Sequence, residues 1–126
     1  MNYLNREAYE ALLQKVRAVS TGKEDDDLGI LGDATKDAIE YVYVVCSGEN
    51  ALNTAGDGDA ALRGSYDTRR HNAHEKAISS VKIINRLAEI HGVGTVFTGD
   101  TADRHQAAGF CIEIAGWLFA NRRRVL

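Results

Sequence analysis

The longest unbroken helical pattern in the chain runs from Asp67 to Gly92, DTRRHNAHEKAISSVKIINRLAEIHG, and it constrains the rest. Ala73, Ala77, Val81, Ile84 and Ala88 recur three or four residues apart, and Ile78 and Leu87 widen the stripe. That is the period of a helix buried along one side. Lys76, Lys82, Arg86 and Glu89 fall on the opposite face. Asp67 is placed to cap this helix, and Gly92 to end it in the left-handed conformation. A rod of about seven turns needs neighbours along its apolar side.

The remaining segments supply them as helices. No proline occurs, so nothing interrupts long helical runs. In residues 3–19, Leu4, Ala8, Leu12, Val16 and Val19 share a face. Thr21 to Gly32, with Glu24, Asp25, Asp26 and Asp27, reads as a solvated acidic loop. It lacks the alternating ligands and terminal Glu of an EF-hand. Asp33 can cap a helix over 34–47 whose buried face holds Ala38, Ile39, Val42, Val45 and Cys46, with Tyr41 and Val44 also apolar. Residues 39–46 are rich enough in β-branched and aromatic side chains to suit a strand, but no partner strand is evident. Gly48 marks the helix end.

Residues 49–65 read as a long glycine-rich loop, with room for a short helical turn at 59–63. Val93, Val96 and Phe97 belong to an extended link that tucks apolar side chains under the bundle. Asp100, with Asp103 three residues on, opens a last helix over 101–123. There Ala108, Ile112, Ala115 and Phe119 form the stripe, Cys111 and Leu118 flank it, and Gly109 and Gly116 suggest close packing. Trp117 and Phe119 read as core or interface anchors. The expectation is an all-α, four-helix bundle forming a single domain over 1–126, with a long glycine-rich loop between its second and third helices.

At 44% hydrophobic and 26% charged residues the chain has the material for a core, unlike a disordered segment. A net charge of −3 argues against a general nucleic-acid binder, although a local patch can still take phosphate. Arg122, Arg123 and Arg124 close the chain. Cys46 and Cys111 sit inside helical patterns, as buried thiols do in a reducing cytoplasm. No basic-then-apolar leader opens the sequence, and no apolar run reaches the roughly 20 residues of a membrane span. The expected setting is therefore cytoplasmic, with no membrane partner. No cofactor is expected either: the GDGD at 56–59 lacks the Lys-Ser/Thr of a phosphate loop, and no Ser-His-Asp or Cys-His set stands out.

The candidate site lies at the expected start of the long helix. Arg69, Arg70, His71 and His74 would combine with free backbone N–H groups there into a pocket for phosphate or carboxylate. Arg70 and His74 share one face, as do His71 and Glu75. Cations at a helix N-terminus are unfavourable, so an acid such as Asp67 or Glu75 must offset them. His71, His74 and Glu75 could also start a metal site, though neither HExxH nor CxxC is present. If the last two helices are antiparallel, His105 falls near His91, at the far end from His71.

Two family resemblances attach to these residues. Arg69 and His74, with Asn72 between them, form R-x4-H, which resembles the signature of the small four-helix HEPN ribonucleases. It implies that Arg69 positions a phosphate and His74 assists attack by the RNA 2′-hydroxyl. In that family the motif stands near a helix end, whereas here a helix continues for several turns. The strings RRHNAHEKAI, INRLAEIHG, TGDTADRH and GFCIEIAGWLFANR, covering about the last 60 residues, resemble a bacterial family of small helical domains without an assigned activity. That resemblance implies one constellation of Arg70, His74, Asn85, Arg86, Asp100 and Arg104. The expectation is a small binding or oligomerisation module, working as a homodimer, with an Arg/His anion pocket. A HEPN-like ribonuclease and a metal- or ligand-binding bundle are the alternatives.

Overall fold

The computed structural model describes residues 3–18, 22–55 and 60–122, without the side chains of 22–25, 45–55 and 60–62. Four helices make an all-α four-helix bundle: α1 (Arg6–Ala18), α2 (Gly22–Ala55), α3 (Ala60–Ile90) and α4 (Arg104–Ala120). Residues 39–46 are helical, as their periodicity implies.

Two helices are longer than the sequence pattern suggests. The acidic segment 22–32 is the first three turns of α2 and not a loop. Leu31 is buried and Leu28 half-buried against the core, so this segment continues the spacing Leu31, Ala34, Ala38, Tyr41, Val44 that faces inward. Asp27 is no solvated charge: its carboxylate meets His91 Nε2 at 3.0 Å. Lys15 adds a 3.0 Å hydrogen bond to the His91 carbonyl, so α1, α2 and α3 are tied together at this end. The expected loop over 49–65 is helix at 49–55 and again at 60–65. Gly56, Asp57, Gly58 and Asp59 lie outside the described residues, as do Val19, Arg123 and Arg124; so do the side chains of Val45 and Cys46.

The core follows the α3 stripe closely. Ala77, Val81, Ile84 and Ala88 are almost fully enclosed, and Ala73 and Leu87 nearly so. Gly92 ends the helix at φ +67°. Gly92 N–H bonds the Glu89 carbonyl and Val93 N–H the Ala88 carbonyl, the paired closure that a left-handed residue makes possible. On α1, Ala8, Leu12 and Val16 are buried as expected, joined by Tyr9 and Leu13. Asn5 caps α1 by accepting from Ala8 N–H at 3.1 Å.

On α2 and α4 the buried stripe is rotated from the expected one. Ile39 stays exposed and Val42 half-buried, while Tyr41 and Val44 turn inward. On α4, Phe110, Cys111, Ile114 and Trp117 are enclosed, but Ile112 and Phe119 face outward. The α4 segment is apolar on nearly every side, so its spacing admits more than one inward face. Aromatic contacts made the selection: Trp117 meets Tyr9 edge-on at 5.3 Å, and Phe110 meets Phe97 at 4.8 Å. Trp117 is thus a core residue and Phe119 a surface one. The cap of α4 is Asp103, which accepts from His105 and Gln106 N–H, and not Asp100, whose carboxylate closes a turn on Ala102 N–H. Gly109 is a site of close approach, since a Cβ there would stand 2.3 Å from the Tyr3 ring. Gly116 has open space beside it.

The buried hydroxyls are satisfied. Thr35 donates to the Leu31 carbonyl at 2.8 Å, so its oxygen is left to accept from Tyr9, 2.7 Å away. Burial pushes the Tyr9 phenol up from its ordinary pKa.

Candidate functional site

The segment joining α3 to α4 decides the site. After Gly92 the chain turns back along α3 instead of leaving its end. Val96 and Phe97 are buried, as the sequence implies, and Asn5 N–H reaches the Val96 carbonyl at 2.9 Å in a short antiparallel bridge of Leu4 with Phe97. Asn85 clamps this strap from α3: its Oδ1 accepts from Phe97 N–H at 2.9 Å and its Nδ2 donates to the Phe97 carbonyl at 3.2 Å. The strap then climbs until Arg104 meets Glu75 at 3.1 Å. Ten residues of helix separate Asn85 from Glu75, about 15 Å of rise.

The start of α4 therefore stands beside His74, and His105 is not the neighbour of His91 that a simple antiparallel pair would make it. His74 is half-buried between helices. Its ring stacks on Tyr41 of α2, centroids 4.4 Å apart and planes 24° from parallel, and its Nε2 is hydrogen-bonded to the Tyr41 hydroxyl. Burial lowers the His74 pKa, the Arg70 and Arg104 charges lower it further, and the nearby His105 acts in the same direction, against the opposing pull of Glu75. The shift favours the neutral imidazole, beside the two guanidinium groups of Arg70 and Arg104.

Of the residues singled out by the sequence, Arg70, His74 and Arg104 come together. Arg70 makes no ion pair among the described residues, whereas Arg104 is engaged by Glu75. Arg69 is elsewhere. Five residues from His74 along a helix is an angle of about 140°, and Arg69 lines a separate cavity of about 200 Å³ with Asp37, Glu40, Asn72 and Lys76. The R-x4-H pair does not converge. His71 is exposed.

The helix-terminus premise also fails. α3 begins at Ala60, so Asp67 is not its cap and the cluster sits two turns or more inside the helix. Thr68 confirms the local geometry by bonding back to the Gly64 carbonyl at 3.1 Å. Backbone N–H groups at 69–74 are spent on the helix, so any affinity for an anion must come from side chains. Nor do His71, His74 and Glu75 gather as metal ligands. Among the described residues no group of three or more His, Cys, Asp or Glu could hold a metal ion.

Asn85, Arg86 and Asp100 belong to a second locale. Asn85 and Arg86 line a cavity of about 440 Å³ with Lys82, Glu89, Gly94, Thr95 and Thr101, and stand about three turns from His74. Asn85 is committed to the strap, and Asp100 to the turn before α4. Sequence reasoning missed His105 and Tyr41 as members of the His74 site. Tyr41 could have been found: it pairs with His74 once 34–47 and 67–91 are set side by side as antiparallel helices.

No family model, curated protein or solved structure matches this chain. Among the described residues no helix is long and apolar enough to cross a membrane.

Proposed function

We propose that this chain is a small helical binding module for an anionic ligand, taken where α3 meets the start of α4. The observation that carries this reading is the gathering of Arg70, Arg104 and His105 around the half-buried His74. Arg70 lacks a carboxylate partner among the described residues, so a fork of donors is available for a phosphate or carboxylate. The neutral imidazole adds a donor or acceptor without adding charge. An anion seated there also relieves the mutual repulsion of the cations.

The test is a titration of full-length protein with inorganic phosphate and with citrate, followed by NMR of the histidine ring signals. A bound anion favours the imidazolium, so the His74 pKa rises on binding. Arg70→Ala removes both the binding and that response. If neither anion moves the His74 signals, or if Arg70→Ala leaves the response intact, the reading is wrong.

A second reading, a HEPN-like ribonuclease, draws support from the same imidazole, which is held in the unprotonated form that a general base requires. Arg70 and Arg104 would then face the phosphodiester in place of Arg69. It requires RNA cleavage that His74→Ala abolishes while the melting temperature stays close to that of the wild type.

A further inference from the structure

The face opposite in character to the His74 cluster is apolar and, among the described residues, uncovered. Tyr43 is 72% exposed on α2 and Phe119 is 71% exposed on α4. Between them lies a groove of about 480 Å³ lined by Ile39, Val42, Ala115 and Leu118, with Arg122 at its edge. The Arg122 guanidinium stands 4.7 Å above the Phe119 ring and donates to the Phe119 carbonyl at 2.9 Å, which holds that ring in place. One helix turn before Gly116, which has open space beside it, Ile112 extends the same side of α4 at 58% exposed.

We infer that a second copy of this chain covers this face in a two-fold symmetric dimer, whether or not an anion occupies the His74 site. Area supports that occupant. An aromatic side chain carries roughly 150–250 Å², so Tyr43 and Phe119 leave about 300 Å² exposed. Ile39 and Ile112 bring the patch to roughly 450 Å², within the range of about 300–600 Å² for the largest apolar patch of a monomer, which is often a functional surface. Doubled across a two-fold axis, this is on the order of 900 Å² of apolar surface. A standard interface buries about 1,600 Å² in total, a little over half of it non-polar. One copy therefore brings the apolar area that a stable dimer needs.

Shape supports it as well. A two-fold contact uses the same patch twice, so the patch must carry both the knob and the hole. Here they are adjacent: the Phe119 ring projects beside the groove between Ile39 and Leu118. A ring from each copy can enter the groove of the other.

Sedimentation velocity and equilibrium on the full chain test this. The wild type should show a concentration-dependent monomer–dimer equilibrium. Phe119→Lys should weaken it about 30-fold or more, the effect of losing a central aromatic anchor, with helicity and melting of the monomer unchanged. Tyr43→Lys, on a different helix, should do the same, which guards against a local defect in α4. Ile90→Lys, at a 61% exposed position on α3 outside the patch, should leave the dimer intact. A wild type that stays monomeric at several hundred micromolar overturns the inference. So does a dimer indifferent to both patch variants or equally sensitive to Ile90→Lys, and so does a monomer that sediments with phosphatidylcholine vesicles instead of with itself.

Discussion

Replacing Asn85 with alanine removes the clamp that folds the strap back along α3. The side chain serves Phe97 twice, as acceptor for its N–H at 2.9 Å and as donor to its carbonyl at 3.2 Å. Phe97 is 1% exposed and sits against Phe110 and Tyr3, so water has little access to replace those bonds. Each bond contributes about 0.5–1.5 kcal/mol net, and a buried backbone group left without a partner costs about 1–3 kcal/mol. The expected loss is therefore about 2–4 kcal/mol. For a domain of this size, that corresponds to a fall in melting temperature of roughly 6–16 °C.

Urea unfolding followed by far-ultraviolet circular dichroism gives the free energy, and amide exchange at Phe97 gives the local effect. Asn85→Asp separates the two bonds: the carboxylate still accepts from Phe97 N–H, but it opposes the Phe97 carbonyl when ionised. That variant should be weak at neutral pH and recover part of its stability when acidified enough to protonate the new group. Arg86→Ala, one residue on and exposed, is the control and should move stability by less than about 0.5 kcal/mol. An Asn85→Ala protein within that same margin of the wild type would refute the clamp. It would also remove the reason for Arg104 and His105 to stand beside His74.

Three further outcomes are expected. Because the His74 pKa is lowered in the folded state, the unfolded chain binds more protons as pH falls below about 6.5; stability should decline from there down to the folded pKa, and His74→Ala should remove that part of the slope in unfolding measured across pH. Gly109→Ala should destabilise by about 1–3 kcal/mol by driving a Cβ into the Tyr3 ring, and Tyr3→Ala should relieve the clash; Gly64→Ala, with nothing within 4 Å, should stabilise α3 by about 1 kcal/mol in the same unfolding assay. Cys111 is buried with its thiol pushed up to about 12, so in a Cys46→Ser background a thiol reagent should label it only as fast as the protein unfolds.

Several features were legible without coordinates. Ala73, Ala77, Val81, Ile84 and Ala88 alternate with charged residues at one clear period, and only one face of such a helix can be buried. Gly92 followed by Val93 closes a helix by backbone chemistry alone. The burial of Val96 and Phe97 was equally readable, since two large apolar residues in a short link have nowhere else to go. These are local signals, and each resolves within a few residues.

Tertiary contact decided the rest. The acidic run before Leu28 reads as loop by composition, yet becomes helix because Leu31 and Ala34 continue an inward face and Asp27 finds His91. α4 is apolar all round, so its spacing could not select an inward side until Tyr9 and Phe97 offered rings for Trp117 and Phe110. The His74 site is the clearest case. Its members come from α2, α3 and α4, and nothing local to any of them signals that the link after Gly92 doubles back. That path is fixed by Asn85 bonding Phe97 twelve residues on. By itself the sequence determined four helices and the buried faces of α1 and α3, because there a single period separates apolar from charged residues. Which charges meet depended on how far the chain retraces its own helix, a length that only the packed structure sets.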